Sequence, residues 1–286
     1  MVLHSLWNGN ALGRLRLLPG EYLAMTNQQI RFDDGASYER MMGAWSRLAG
    51  EVFLDWLKPG HGLRWVDVGC GNGAFSEVVV QRCAPAVLHG VDPSKAQLSY
   101  ARTRPCARTA DFQLGDAMAL PFPNDSLDVA VMALVIFFVP DPTEGVAEMA
   151  RVVRSGGDVA AYAWDLVGGK GPAAPIESEM RVMGLTPPRP PSFEASRIEA
   201  LRELWACAGL DAIETRRIVV QRTFDDFDDF WTTTVLTPTL GPTFASMPPQ
   251  DAELLKTRVR SRLPTDATGR ITYEAHANAV KGRVPE

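Results

Sequence analysis

The sequence predicts an α/β fold, a doubly wound and mostly parallel seven-stranded sheet with helices on both faces. Three observations carry this. From Trp65 onward, short apolar runs alternate with segments of helical periodicity, the pattern of a parallel sheet buried between helices. The first run, Trp65-Val66-Asp67-Val68, enters a glycine turn, Gly69-Cys70-Gly71-Asn72-Gly73, and such a turn opens a ligand crevice in doubly wound sheets. Acidic residues, Asp92 and Asp116, then stand at the ends of the next two runs.

The elements follow in order. Between Tyr38 and Leu57, apolar residues (Met41, Met42, Trp45, Leu48, Val52, Phe53, Trp56) recur at helical spacing, and Gly50 predicts a break into two short helices. Pro59-Gly60-His61-Gly62 ends them. Strand one is Trp65 to Val68, with its helix from Ala74 to Arg82. Strand two runs from Val87 to Val91, and Ser94 caps a helix through Arg102. Strands three and four are Asp111 to Leu114 and Leu127 to Ala133. Asp141-Pro142-Thr143-Glu144 opens a helix to Val153, with an acid as cap, proline at the first position and Glu144 closing a capping box. Ser155-Gly156-Gly157 then turns into strand five, Val159 to Trp164.

The character changes after Trp164. Gly168, Gly169, Pro172, Pro175, Pro187, Pro188, Pro190 and Pro191 predict a loop-rich segment with a short helix at Met180 to Met183. Ser196 with Glu199 opens a helix ending at Gly209. Asp211 to Gln221 reads as a strand, residues 224–263 as two helices, and Ile271 to Lys281 as the last strand. The expected organisation is an N-terminal extension over 1–24, a ligand-binding core over 25–165, a cap over 166–210, and 211–286 completing the sheet. The extension is expected to lack order, with Met25 an alternative start to Met1.

Composition narrows the class. A net charge of −5 argues against a nucleic-acid surface. Cys70, Cys83, Cys106 and Cys207 form no C-x-x-C pair, so neither a disulfide framework nor a zinc site is indicated, and a cytoplasmic location fits. Residues 1–24 show no secretory signal pattern. The apolar run Leu127 to Val139 is short and carries Asp128, so no membrane span is expected. Asp225-Asp226-Phe227-Asp228-Asp229 reads as a helix N-terminus without EF-hand spacing, and no metal site is expected. His61 and His89 flank strands away from the crevice, and His276 reads as structural.

The glycine turn fits two spellings. Gly69, Gly71 and Ala74 satisfy the dinucleotide fingerprint, while Gly69, Gly71 and Gly73 satisfy G-x-G-x-G. The acids discriminate. Asp92 lies roughly 20 residues past Gly69, where a carboxylate meets a ribose diol. Asp116 comes a similar distance farther on; its carboxylate can accept from an exocyclic amine, and the Ala117 N–H can serve a ring nitrogen. Asp67 lies inside an apolar strand, which is costly unless donors satisfy it.

Trp65-Val66-Asp67-Val68-Gly69-Cys70-Gly71-Asn72-Gly73, Gly90-Val91-Asp92-Pro93-Ser94 and Gly115-Asp116-Ala117-Met118-Ala119-Leu120-Pro121-Phe122 resemble motifs I, II and III of class I S-adenosylmethionine-dependent methyltransferases. Leu127 to Ala133 and Arg151-Val152-Val153-Arg154-Ser155-Gly156-Gly157 resemble the later motifs. The resemblance is strongest to the type 11 group, similar to the ubiquinone/menaquinone-biosynthesis methyltransferases, and spans roughly residues 36–165 and Ala277 to Gly282. It implies a Rossmann-like methyltransferase fold and S-adenosyl-L-methionine as cofactor. Gly69, Gly71 and Gly73 would cradle the methionine portion, Asp92 with Pro93 would take the ribose, and Asp116 with Ala117 would read the adenine. Asp67 would order the turn or assist the amino group, Leu134 would lie near the reactive end, and Tyr38 and Trp45 would cover the cofactor.

The stretch Ala133 to Pro140 lacks Asn/Asp-Pro-Pro-Tyr/Phe and Pro-Cys, and the chain shows no acid triad for a divalent metal. A small, partly apolar acceptor is therefore expected, with Phe137 and Phe138 as core or pocket wall and Asp165, His276 and Tyr162 as candidate bases; no catalytic residue is assigned. Two rival readings remain. An NAD(P)-dependent oxidoreductase has no duty for Asp116 and needs a Tyr-x-x-x-Lys pair, but Met42, Arg104 and Leu166 stand four residues after Tyr38, Tyr100 and Tyr162. A non-catalytic S-adenosylmethionine-binding protein would keep the same motifs.

Overall fold

The computed structural model describes residues 39–235 and 240–286, except the side chains of residues 40 and 41. The extension over residues 1–24 and Tyr38 lie outside the described residues. A single π-helical turn, Glu39–Gly43, leads into α1 (Ala44–Leu57). Then come β1 (Arg64–Val68), α2 (Ala74–Cys83), β2 (Val87–Asp92), α3 (Lys95–Ala101), β3 (Ala110–Leu114) and β4 (Leu127–Ala133). The chain continues with α4 (Pro142–Val152), β5 (Val153–Trp164), α5 (Ala174–Val182), α6 (Ile198–Cys207) and β6 (Asp211–Phe224). It closes with α7 (Phe227–Val235), α8 (Gly241–Ala245), α9 (Pro249–Arg262) and β7 (Ile271–Arg283).

The seven strands form one sheet in the order β3-β2-β1-β4-β5-β7-β6. β1 to β5 are mutually parallel, and β7 runs antiparallel between β5 and β6. The chain winds outward from β1 to β3 and returns to pair β4 with β1. That reversal leaves a crevice beyond the carboxyl ends of β1 and β4, where open α/β sheets bind ligands. The central strands are apolar on both faces: Val66, Val68, Val129, Ala130, Val131 and Met132 are all buried. On the outer strand β6, by contrast, buried Ile218 and Val220 alternate with exposed Arg217, Val219 and Gln221, as expected of a strand with one covered face.

Helix ends follow local chemistry. Ser94 Oγ accepts from the Gln97 N–H at 3.3 Å, and Asp141 Oδ1 accepts from Thr143 and Glu144 at 2.9 and 3.2 Å. Elsewhere tertiary contacts override the local signal. Gly50 does not break its helix; α1 is continuous through it. A Cβ at Gly50 would sit 3.0 Å from the Phe75 ring and 3.3 Å from the Tyr162 hydroxyl. The glycine lets α1 lie close on α2 and β5, and that packing outweighs its helix cost of about 1 kcal/mol.

Ser155-Gly156-Gly157 is not a turn but an irregularity within β5, which begins at Val153; the register against β4 jumps between Leu127 and Val129. A Cβ at Gly157 would fall 2.7 Å from the Asp128 carbonyl, so the bulge needs a residue without one. Ser196 is not a cap: its hydroxyl donates to the Phe193 carbonyl at 2.8 Å, and Arg197 holds the cap position of α6. α5 begins well before Met180. Residues 224–263 hold three described helices, not two, because prolines at 242 and 249 each open a new one.

Candidate functional site

β1 carries Asp67 to the edge of the crevice and the chain turns at Gly69. Its φ is +72°, and a Cβ there would lie 2.5 Å from Val135, so both backbone and space demand glycine. The N–H groups of Gly69 and Cys70 donate to the Val91 carbonyl at 2.7 and 3.0 Å, fastening the turn to β2. The Gly71 N–H donates to Asp92 Oδ2 at 2.9 Å, and the Ser94 N–H donates to Oδ1 at 2.8 Å. Each Asp92 oxygen therefore retains one lone pair for a ligand hydroxyl. Burial pushes the Asp92 carboxyl up, against the pull of these two backbone bonds.

Asp67 is 1% exposed. Ser76, on α2, donates its hydroxyl to Oδ2 at 2.6 Å, whereas Oδ1 has no hydrogen-bond partner and the residue lines the crevice. Burial lifts this carboxyl to about 7; the Ser76 bond opposes the lift and the nearby Asp92 charge adds to it. Cys70 also lines the crevice, and burial pushes its thiol well up, so it stays protonated.

A charged knot braces the turn from behind. Arg104 Nε donates to the Asn72 carbonyl at 2.6 Å, and its terminal nitrogens pair with Glu77 at 2.8 Å and with Glu39. Glu39 also accepts from the Asn72 side chain at 2.9 Å.

At the third acid, Asp116 Oδ1 accepts from the Met118 N–H at 2.9 Å, a local turn that leaves Asp116 exposed and facing the crevice beside Ala117. Past β4, Leu134 adopts φ +63° and donates its N–H to the Tyr162 carbonyl at 2.8 Å. Leu134, Val135, Phe138, Val139 and Pro140 form an apolar wall.

Asp67, Gly69, Gly71, Asp92, Pro93, Asp116, Ala117 and Leu134 thus share one crevice. Gly73 stands behind the turn as the residue preceding α2. Trp45 is placed elsewhere: it packs on Trp164, Phe224 and Tyr273 with ring centroids 6.0, 6.3 and 6.4 Å away. Ser46, one residue on and rotated about 100° around the helix, lines the crevice instead. Of the candidate bases, Tyr162 lines the crevice. Asp165 accepts from the Gly168 N–H at 2.9 Å, and His276 sits 2.9 Å from Glu274; neither lines it. Phe138 is wall, and Phe137 packs behind it at 4.6 Å. Sequence reasoning missed Ser46, Gln97, Arg104 and Glu39, which no local motif marks.

The strand order with its antiparallel β7, and the acid-lined crevice at the β1/β4 reversal, define a Rossmann-like methyltransferase fold. The family model described as "Methyltransferase domain" matches residues 66–161. An uncharacterized protein of Mycobacterium tuberculosis is 32% identical over 109 residues, which is 38% of this chain and 40% of that protein. A ubiquinone/menaquinone biosynthesis C-methyltransferase of Dinoroseobacter shibae is 34% identical over 136 residues, 46% of this chain and 54% of that protein. The chain therefore spans about half or less of these relatives' lengths. Phosphoethanolamine N-methyltransferase 2 of Haemonchus contortus, solved with S-adenosyl-L-methionine, shares the fold with a TM-score of 0.56 at 18% identity, covering 92% of this chain and 59% of that one.

Proposed function

We propose that this chain is an S-adenosylmethionine-dependent methyltransferase acting on a small, partly apolar acceptor. One observation carries the reading: a single crevice gathers Asp67, Asp92 and Asp116 from three successive strand ends and faces them with an apolar wall. The residues suit the cofactor. The unpartnered Asp67 oxygen fits a cationic amino group, the free lone pairs of Asp92 fit a ribose diol, and Asp116 with Ala117 fits an aminopurine edge.

When bound, S-adenosylmethionine supplies an electrophilic methyl on a sulfonium whose charge is lost on transfer. Leu134, Val135, Phe138 and Val139 keep that end of the crevice poor in water, which favours loss of charge, and the glycine turn fixes the direction of approach. Tyr162 is the candidate proton acceptor that lines the crevice, and it serves only an acceptor that must lose a proton. The name of the Dinoroseobacter shibae relative makes a hydroquinone-type ring the first acceptor to try. The proposal also assigns a cytoplasmic location, in keeping with four free cysteines, and no nucleic-acid partner. No described helix is long and apolar enough to cross a membrane.

The dinucleotide reading meets a different sheet, since the six-stranded order 3-2-1-4-5-6 has no antiparallel strand between its last two members. The test is calorimetry with S-adenosylmethionine and S-adenosylhomocysteine. Asp92→Ala should weaken binding at least tenfold, the loss of about 1.4 kcal/mol or more expected for a charge-assisted pair. Unchanged affinity in the variant, or tighter binding of NADH than of either compound, refutes the assignment.

A further inference from the structure

Gln97 lies on α3, one turn beyond Ser94, and lines the crevice together with Gly71, Asp92 and Ser94. It is 2% exposed, yet neither its amide nitrogen nor its amide oxygen has a hydrogen-bond partner. The oxygen points toward the glycine turn, 4.0 Å from where a Cβ on Gly71 would stand. A buried carboxamide without partners costs about 1 to 3 kcal/mol for each unsatisfied group, and cores rarely keep one that no ligand uses. A leucine would fill similar space at no such cost, so the amide is there for what it binds.

Asp92 shows what is missing. An ionised carboxylate only accepts, and each ribose hydroxyl is both donor and acceptor. Asp92 can take the two hydroxyl protons, but the hydroxyl oxygens then lie in a buried site with lone pairs unmet. The backbone donors beside Asp92, from Gly71 and Ser94, are already spent on Asp92 itself. The Gln97 amide nitrogen supplies two N–H donors at the same place.

We propose that Gln97 is a cofactor-binding residue that donates to a ribose hydroxyl, so that Asp92 and Gln97 together satisfy the diol as acceptor and donor. This rests on the cofactor reading above and names a residue and a bond within it. It also explains the orphan amide: the cost carried by the free protein is relieved when a diol enters.

The proposal makes stability and affinity move in opposite directions in Gln97→Leu. The free variant should melt at or above the temperature of the unsubstituted chain, because two unsatisfied polar groups are gone. Its affinity for S-adenosylhomocysteine should fall tenfold or more. The 2′- and 3′-deoxy analogues separate this from loosened packing. One of them should bind the unsubstituted chain at least tenfold more weakly than S-adenosylhomocysteine does, and that penalty should shrink to threefold or less in Gln97→Leu. If Gln97→Leu folds poorly, Gln97→Met retains length, removes the donor and adds no charge, and the same shrinkage is expected. An unchanged deoxy penalty, or affinity lost only in step with stability, overturns the role of Gln97 while leaving the cofactor reading intact. Failure of the unsubstituted chain to bind S-adenosylhomocysteine overturns both.

Discussion

Replacing Asp67 with asparagine tests how the crevice holds charge. Asp67 is 1% exposed and bonded only through one oxygen, to Ser76, and burial moves its carboxyl from 3.8 to about 7. Between those values the folded protein holds a proton that the unfolded chain has released. Stability therefore falls as pH rises from about 4 to about 7 and levels off above, the sign expected when the native state binds more protons. A shift of this size is worth about 4 kcal/mol in all, and about 3 kcal/mol of it develops between roughly pH 5 and pH 8.

Asparagine mimics the protonated acid and keeps the acceptor for Ser76, but it does not titrate. Asp92, also raised by burial, contributes in the same direction in both proteins, so the difference between variant and parent reports Asp67 together with its repulsion by the Asp92 charge. Urea unfolding at the two pH values, at one ionic strength, is the assay. The variant should gain on the parent by about 3 kcal/mol on going from pH 5 to pH 8. A cationic amino group beside the free oxygen would reverse the burial effect, so S-adenosylhomocysteine affinity should rise with pH through neutrality in the parent and stay flat in the variant. A stability difference that is the same at both pH values would refute this account of Asp67.

Two further perturbations address what holds the crevice in shape. Arg104→Met removes the cation between Glu39 and Glu77, whose side chains are 23% and 13% exposed. Breaking such a pair leaves uncompensated charge and should cost about 3 kcal/mol in urea unfolding; a loss under 0.5 kcal/mol would show the knot to be ornamental. Arg151→Lys addresses the loop that carries Asp116. All five donors of Arg151 are engaged: with both Glu148 oxygens, the carbonyls of Leu120 and Phe122, and the Asn124 side chain, at 2.6 to 3.0 Å. Lysine offers three donors without the planar fork, so about 2 kcal/mol of stability should be lost. Equal urea midpoints for lysine and arginine would disprove the need for the fork.

Features written in consecutive residues were legible in the sequence. The glycine turn, the acids at the ends of β2 and β3, the Asp141 cap and all of β4 depend on neighbours a few positions away. The misreadings share a cause in contacts between distant residues. Gly50 looks like a helix breaker until Phe75 and Tyr162 are seen to press on it. Trp45 and Ser46 differ by one step around a helix, and only the position of the aromatic cluster on β6 and β7 decides which of them faces the crevice. Arg104 reaches Asn72 and Glu39 across 32 and 65 residues, and a lone arginine carries no signal of that reach.

The two ends of the crevice differ in how tightly they constrain residue type. At the cofactor end, Asp67, Asp92 and Gly69 each satisfy a condition that few other residues meet: an acceptor at a set point, or a backbone at φ +72°. Along the apolar wall, position comes from the backbone. Leu134 holds a left-handed conformation that costs a non-glycine residue about 1 kcal/mol or more, and its N–H bond to the Tyr162 carbonyl keeps it there. Ser192 then ties the segment after β5 to this wall, donating its N–H to the Phe137 carbonyl at 3.0 Å and its hydroxyl to the Val139 carbonyl at 2.7 Å. These bonds run to main-chain carbonyls, so apolar side chains along 134–140 can change shape without moving the wall. On the proposed function, acceptor choice would then rest on side-chain volume along a fixed backbone, and cofactor choice on residue identity.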